Sequence, residues 1–401
     1  MSLVRTIDLL RSTCGNFLRS ADQLQTDFIF PNLTTLLLDM DCVIGRFSLA
    51  KLLPPTLTEL TLMLRDNTTD GIFDAIARSP CQLRHLAICG RASFTPFVIH
   101  TPAALPPSVR YYSVRNCRLS GPLVHQLALD PHLIALDFTI FASHQQWPQL
   151  CRIFFDTPIF PSLTILSVDA STSVDLRYLN DILSHTHLFA QLTTLKISMG
   201  GDNDYDSIEN ILSLVNKCTQ LEHLHLSSDP PLYKKDHYFV LNFQVLIGNL
   251  LKRDTLTTII LLNLIPERSF WWFLSTHAHH LTHLSVTYSY ISPAPTLLQL
   301  LSIEHSEFVQ LVNGCVALRT LRVCLNTFFS QFQHVPDLHH ITHRQTPLTF
   351  YPSAEGIFTS NYLAHFLYLY FPHLIIKPRR SLLALTFKDL KTTNWRPRAN
   401  V

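Results

Sequence analysis

Histidine is the residue type best placed to do chemistry in this chain, which carries 21 of them. His223 and His225 alternate along one apolar-patterned stretch, and His283 holds the equivalent place in a later one. Side chains two apart on a strand are near enough to share a metal ion, but no carboxylate or thiolate completes a recognisable ligand set, so a polar surface is expected there. His339, His340 and His343 cluster with Asp337, without the HExxH spacing that sets two imidazoles on one helix face beside a general base. Asp202-Asn203-Asp204-Tyr205-Asp206 begins like a calcium loop, yet its sixth place is Ser207 rather than glycine and its twelfth is Ser213 rather than glutamate. No P-loop, GxGxxG or GxSxG sequence is present. Neither catalysis nor a metal or cofactor is expected.

Nine cysteines are irregularly spaced, with no CxxC pair. The odd count argues against a complete disulfide framework, and the thiols are expected to behave as small buried hydrophobes. Lys plus Arg total 31 and Asp plus Glu 29, a net charge of +2 that gives no reason to expect nucleic acid or an anionic membrane as partner. The most apolar stretch, Tyr362 to Ile376, contains His365, Pro372 and His373 and is short for a membrane span. Residues 1–20 show no secretory leader. A cytoplasmic or nuclear location is the expectation.

What must position these residues is a recurring pattern, apolar-x-x-apolar-x-apolar. It opens at Val4, Leu33, Leu57, Leu83, Val109, Leu133, Leu163, Leu192, Leu221, Leu256, Leu281, Leu318 and Leu382, at intervals of 24 to 64 residues. A unit recurring at roughly 20–50 residues marks a solenoid, in which each repeat packs on its neighbours and the core grows lengthwise. In Leu192-Thr-Thr-Leu195-Lys-Ile197 the fourth and sixth places have the period of two of a strand, turning Leu195 and Ile197 inward and Lys196 outward. Between copies lie helical patterns: Gly71 to Ala77, Gly121 to Leu129, Leu176 to Leu183, Val240 to Leu251, and a capping box at Asp206-Ser-Ile-Glu209. Proline precedes several openers, as in Phe30-Pro31-Asn32-Leu33 and Pro106-Pro107-Ser108-Val109, where it is expected to stop the preceding helix and hold the approach to the strand extended.

Strand, helix and parallel strand in succession resemble the leucine-rich-repeat superfamily over nearly the whole chain. The resemblance implies an α/β horseshoe with parallel strands on the concave face and helices on the convex face. The expected organisation is one solenoid of about 13 units, regular over 4–326, with an irregular insertion over 327–381 and a last repeat and cap over 382–401. A helix is expected around Ala354 to Phe371. Cys218 and Cys315 lie three residues before an opener, and Cys117 holds the ninth place, where many such repeats carry Asn or Cys. In this they resemble the cysteine-containing repeats of F-box proteins, the substrate-recognising subunits of cullin-based ubiquitin ligases. No F-box precedes Val4, so Skp1 or a cullin is an expected partner only if that module is supplied upstream. The other ninth places vary, so no continuous asparagine ladder is expected.

The function that follows is non-catalytic protein recognition. Two roles stay open: the substrate-binding half of an F-box-type receptor, or a stand-alone adaptor or inhibitor. Taking the second, third, fifth and seventh places of each copy as outward gives a candidate partner-binding set. It comprises Arg84, His85, Arg110, Tyr111 and Arg115, then Asp137 and Asp169, then Lys196, His223 and His225, and finally Arg319 and Arg322. Arginine with tyrosine is the composition that protein interfaces favour. Lys234, Lys235 and Tyr238 join the set because Ser227 to Tyr238 is expected to project as a long loop from a rigid frame. Protein partners on the concave face or its rim are the prediction.

Overall fold

The computed structural model describes residues 4–9, 28–39, 49–64, 70–90, 98–99, 106–119, 121–140, 160–172, 177, 179–180, 186–202, 205–228, 240–241, 248, 250–287, 305–323, 349–352 and 375–376. The chain divides into two compact units, residues 1–223 with 231–235, and residues 224–230 with 236–401.

In the first unit each opener stands two residues ahead of a strand. The strands are β1 (Thr6–Leu9), β2 (Thr35–Asp39), β3 (Glu59–Leu64), β4 (His85–Gly90), β5 (Tyr111–Arg115), β6 (Ala135–Ile140), β7 (Ile165–Thr172) and β8 (Thr194–Asp202). All pair in parallel in chain order, and their first residues, Thr6, Thr35, Glu59, His85, Tyr111, Ala135, Ile165 and Thr194, form one row; the register of β8 on β7 shifts between Met199 and Asp202. The second unit repeats the plan with β9 (His223–Ser228, its first residue lying in the first unit), β10 (Thr258–Leu262), β11 (His283–Thr287), β12 (Thr320–Val323), β13 (Thr349–Pro352) and β14 (Ile375–Ile376). Among the described residues, helices lie between some of the strands: α1 (Asp70–Arg78), α2 (Gly121–Leu129), α3 (Thr186–Gln191), α4 (Tyr205–Val215), α5 (Arg268–His277) and α6 (His305–Gly314). Each unit is therefore a parallel-strand solenoid of the leucine-rich-repeat type.

The core follows the hexapeptide. Leu36, Leu60, Leu86, Leu136, Leu166 and Leu195 at the fourth places, and Leu38, Leu62, Ile88, Val114, Phe138, Val168 and Ile197 at the sixth, are at most 4% exposed. Helices bury i, i+4 pairs such as Leu123 with Leu127, Ile211 with Val215, and Phe270 with Leu274. The exception in the leucine row is Tyr112, fully buried, with no hydrogen-bond partner for its hydroxyl among the described residues. Burial holds its phenol far above the ordinary range, with Cys117 adding to the effect. Leaving a buried hydroxyl unpaired costs about 1–3 kcal/mol. Tyr112→Phe, which keeps the ring and deletes that atom, is expected to stabilise the fold by about 1 kcal/mol or more, read as a higher denaturation midpoint; a lower midpoint would show that the hydroxyl has a partner.

Backbone carbonyls at the second place explain the threonines there. The carbonyl of Thr34 accepts both Thr58 N and Glu59 N at 3.0 Å, Thr58 accepts Arg84 N and His85 N, and Arg84 accepts Arg110 N and Tyr111 N, a staircase continuing to Thr193. A threonine at this place adds a third bond: the hydroxyls of Thr58 and Thr193 donate to the carbonyls of Thr34 and Thr164 at 3.2 Å. Thr282 does the same to Thr257 at 3.0 Å in the second unit. These threonines tie repeat to repeat.

Several expectations need correction. Proline before the openers does not hold an extended approach. Leu33 N donates to Phe30 O, Leu57 N to Pro54 O, Val109 N to Pro106 O and Leu163 N to Phe160 O, each closing a four-residue turn. Pro31, Pro55, Pro107 and Pro161 sit second in those turns, where a fixed φ near −65° is pre-set for the bend. Val240 and Leu241 are not helical but pair in parallel with Ile265 and Pro266, β-branched Val and Ile suiting such a pairing. Helix α4 begins at Tyr205, so Asp206 lies inside its first turn rather than ahead of it as a cap. Leu176 to Leu183 is described only at Arg177, Leu179 and Asn180, which are helical. The seventh place is not uniformly outward: Asp39, Thr139, Ser227 and Thr287 are at most 8% exposed. Small polar groups there fold under the strand end and serve backbone, as when Thr139 Oγ1 accepts Asn116 N at 3.2 Å.

The expected absence of an asparagine ladder has a counterpart one residue earlier. Asn116 and Asn263, both at the eighth place, take φ of 54° and 59°, the left-handed region asparagine tolerates. Asn263 Nδ2 donates to Ser228 O at 2.7 Å and its backbone N donates to Thr287 O at 2.8 Å, clipping three successive repeats. The segment 327–381 contributes two strands, β13 and β14, in register with β12. The expected helix at Ala354 to Phe371, the copy at Leu382 and the tail beyond it lie outside the described residues.

Candidate functional site

Because side chains alternate, the outward face of the first unit is a grid of rows two residues apart. The row one step into the strands is Glu59, His85, Tyr111, Ala135 and Ile165. The next is Thr61, Ala87, Ser113, Asp137, Ser167 and Lys196, and the one after it holds Met63, Cys89 and Arg115 on β3, β4 and β5. His85 and Tyr111, direct partners across the β4–β5 ladder, stack with ring centroids 4.2 Å apart and planes within 1°. Glu59 Oε2 accepts the Thr35 hydroxyl at 3.1 Å beside them. Arg84 and Arg110 stand just before His85 and Tyr111 at the feet of the same strands. Arg84 is exposed, and Arg110 is half-buried with Nη1 donating to Pro107 O at 3.0 Å.

A second group lies at the far ends of β5 and β6. Arg115 Nε and Nη2 both lie 2.7 Å from Asp137 Oδ2, which also accepts the Ser113 hydroxyl at 3.0 Å. Burial alone would depress the Arg115 guanidinium, but the hydrogen bond and charge of Asp137 outweigh it and raise it above its usual value. Arg115 is thus neutralised inside the protein. Cys89 faces it across the ladder, yet burial raises the thiol despite the guanidinium, and Asp137 raises it further. Burial pushes the Cys117 thiol up to about 12. Neither sulfur is a thiolate near neutral pH, so neither is an activated nucleophile.

The remaining candidates are dispersed. Asp169 is half-buried opposite Ser198, and Lys196 half-buried opposite Ser167. His223 is exposed, 3.9 Å from Glu222, and His225 is half-buried. In the second unit Arg319 is exposed, and half-buried Arg322 pairs with Ser285 in register. His283 Nδ1 lies 2.8 Å from Thr282 Oγ1. Ser227 and Ser228, expected to open a loop, are buried ends of β9. Lys234, Lys235 and Tyr238 lie outside the described residues. Among the described residues no three His, Cys, Asp or Glu side chains are grouped to hold a metal ion, and no helix is long and apolar enough to cross a membrane.

No family model matches the chain, and no curated protein matches it. Among solved structures, a chain of the Rad7 and Elc1 complex in yeast is similar, with a TM-score of 0.43 and 14% identity over 92% of this chain and 85% of that one.

Sequence reasoning had named Arg84, His85, Arg110 and Tyr111 together, because their places in consecutive copies put them on neighbouring strands. It missed the Arg115–Asp137 ion pair, which joins a seventh place to a fifth place in the next copy. The diagonal reach of a long guanidinium across the ladder was the available signal.

Proposed function

We propose that this protein is a non-catalytic recognition scaffold that binds a protein partner across the outward face of its strands in the first unit. The stacked His85–Tyr111 pair carries this reading. Two rings held parallel on adjacent strands of a hydrogen-bonded ladder offer a preorganised contact whose ordering cost is already met by the fold. Tyr, which is in this pair, and Arg, which stands beside it, are among the side chains that dominate binding energy at interfaces. Cysteines in the style of F-box repeats support the finer reading, the substrate-recognising part of a ubiquitin ligase. In the structure Cys117, Cys218 and Cys315 are buried at their repeat positions.

The test is affinity purification of the full chain from its native cell, beside a His85→Ala/Tyr111→Ala variant. His85 is exposed and Tyr111 half-buried, both on the outward face, so the variant is expected to keep its fold and to lose at least one partner held by the wild type. An unchanged partner set would remove the face from consideration. Recovery of Skp1 or a cullin is the result expected of the ligase reading, and reproducible partners without either would dismiss it.

A further inference from the structure

From Ala75 to Leu129 the sequence contains no aspartate and no glutamate, while it carries Arg78, Arg84, Arg91, Arg110, Arg115 and Arg118. Those six positive charges exceed the +2 of the whole chain, so the rest of the chain is net negative by 4. This acid-free block contains β4 and β5, the strands that hold the His85–Tyr111 stack.

The structure adds a second observation. Of the three arginines on or just before these strands, Arg115 alone has a carboxylate among the described residues, Asp137 at 2.7 Å. Arg84 and Arg110 occupy the same place in successive copies, with Arg110 N donating to Arg84 O at 2.9 Å. Their stems thus rise from one edge about 5 Å apart, the spacing of neighbouring strands. Arg110 gives one N–H to the carbonyl of Pro107, which holds the side chain without neutralising it. No acidic side chain pairs with either guanidinium among the described residues. Two neighbouring arginines with spare donors suit carboxylates, which guanidiniums bind by paired, charge-assisted hydrogen bonds. The flat His85–Tyr111 stack beside them suits an aromatic or other planar side chain.

We propose that Arg84 and Arg110, with the His85–Tyr111 stack, form a docking site for an acidic peptide segment of a protein partner. Its carboxylates lie against the two guanidiniums and a neighbouring aromatic residue lies on the rings. This specifies the partner chemistry of the recognition face and rests on that reading.

The full chain and its Arg84→Gln/Arg110→Gln variant, each panned against a phage-displayed library of random dodecapeptides, provide the test. Wild type is expected to select peptides combining Asp or Glu with an aromatic residue. Synthetic copies should bind the variant about tenfold or more weakly and lose affinity as NaCl is raised. Arg84→Lys/Arg110→Lys should restore part of the binding, and a melting temperature equal to wild type shows that each variant is folded. Selection without acidic bias, acidic peptides that bind the glutamine variant equally, or no selection at all would each overturn the proposal. If His85→Ala/Tyr111→Ala still loses a cellular partner in that event, the recognition face stands and only its acid preference falls.

Discussion

Leu195→Ala is expected to destabilise the protein by about 2–5 kcal/mol, whereas Lys196→Ala beside it should change stability by less than about 0.5 kcal/mol. Leu195 is fully buried, in register with Leu166 on β7, and stands in a row of fourth-place residues that repeats on every strand of the first unit. Removing its isobutyl group deletes contacts that a close-packed interior cannot replace by collapse. The Lys196 chain leaves the opposite face of the same strand, half-exposed and in register with Ser167. Urea denaturation of the two variants measures both effects. A lower midpoint for Lys196→Ala than for Leu195→Ala would mean that the inward and outward sides of β8 have been exchanged, since a slip of one residue inverts every side chain on a strand; equal midpoints would remove Leu195 from the core.

Gly314→Ala should destabilise by about 1–3 kcal/mol, opposite in sign to the gain of up to about 1 kcal/mol that helix propensity alone assigns to the change. Gly314 is the last residue of α6, and a methyl group on it would overlap the backbone carbonyl of Ser275 in α5. The obstacle is main chain, so no rotamer change relieves it. The same crossing is held by His279, whose Nδ1 donates to Gly314 O at 2.9 Å, and by the Cys315 thiol, which donates to Leu274 O at 3.5 Å. A thermal melt distinguishes the signs. A higher melting temperature for Gly314→Ala would show that α5 and α6 do not approach so closely in solution.

The two changes separate what was legible from what was not. Leu195 could be assigned to the core from its hexapeptide alone, because strand period and repeat period together determine which side faces in. Nothing around Gly314 signals its partner, since Ser275 is far off in sequence and the constraint arises where two helices meet. Tyr112 is intermediate: its fourth place predicted burial, but the lack of a partner for its hydroxyl depends on what surrounds it in three dimensions. The turn prolines show a local misreading, in which a residue that bends the chain was expected to keep it extended because both conformations share the same φ.

The candidate site divides along the same line. The amino-acid sequence by itself determined the parallel order of the strands, the inward leucines and the grouping of Arg84, His85, Arg110 and Tyr111, because all of these follow from a period that each copy repeats. Tertiary structure alone decided which charges remain available. Arg115 and Arg110 look alike along the chain, yet one reaches a carboxylate on the next strand and the other does not. A guanidinium is neutralised by whatever lies within hydrogen-bond reach in space, and that distance is set by ladder register and side-chain direction.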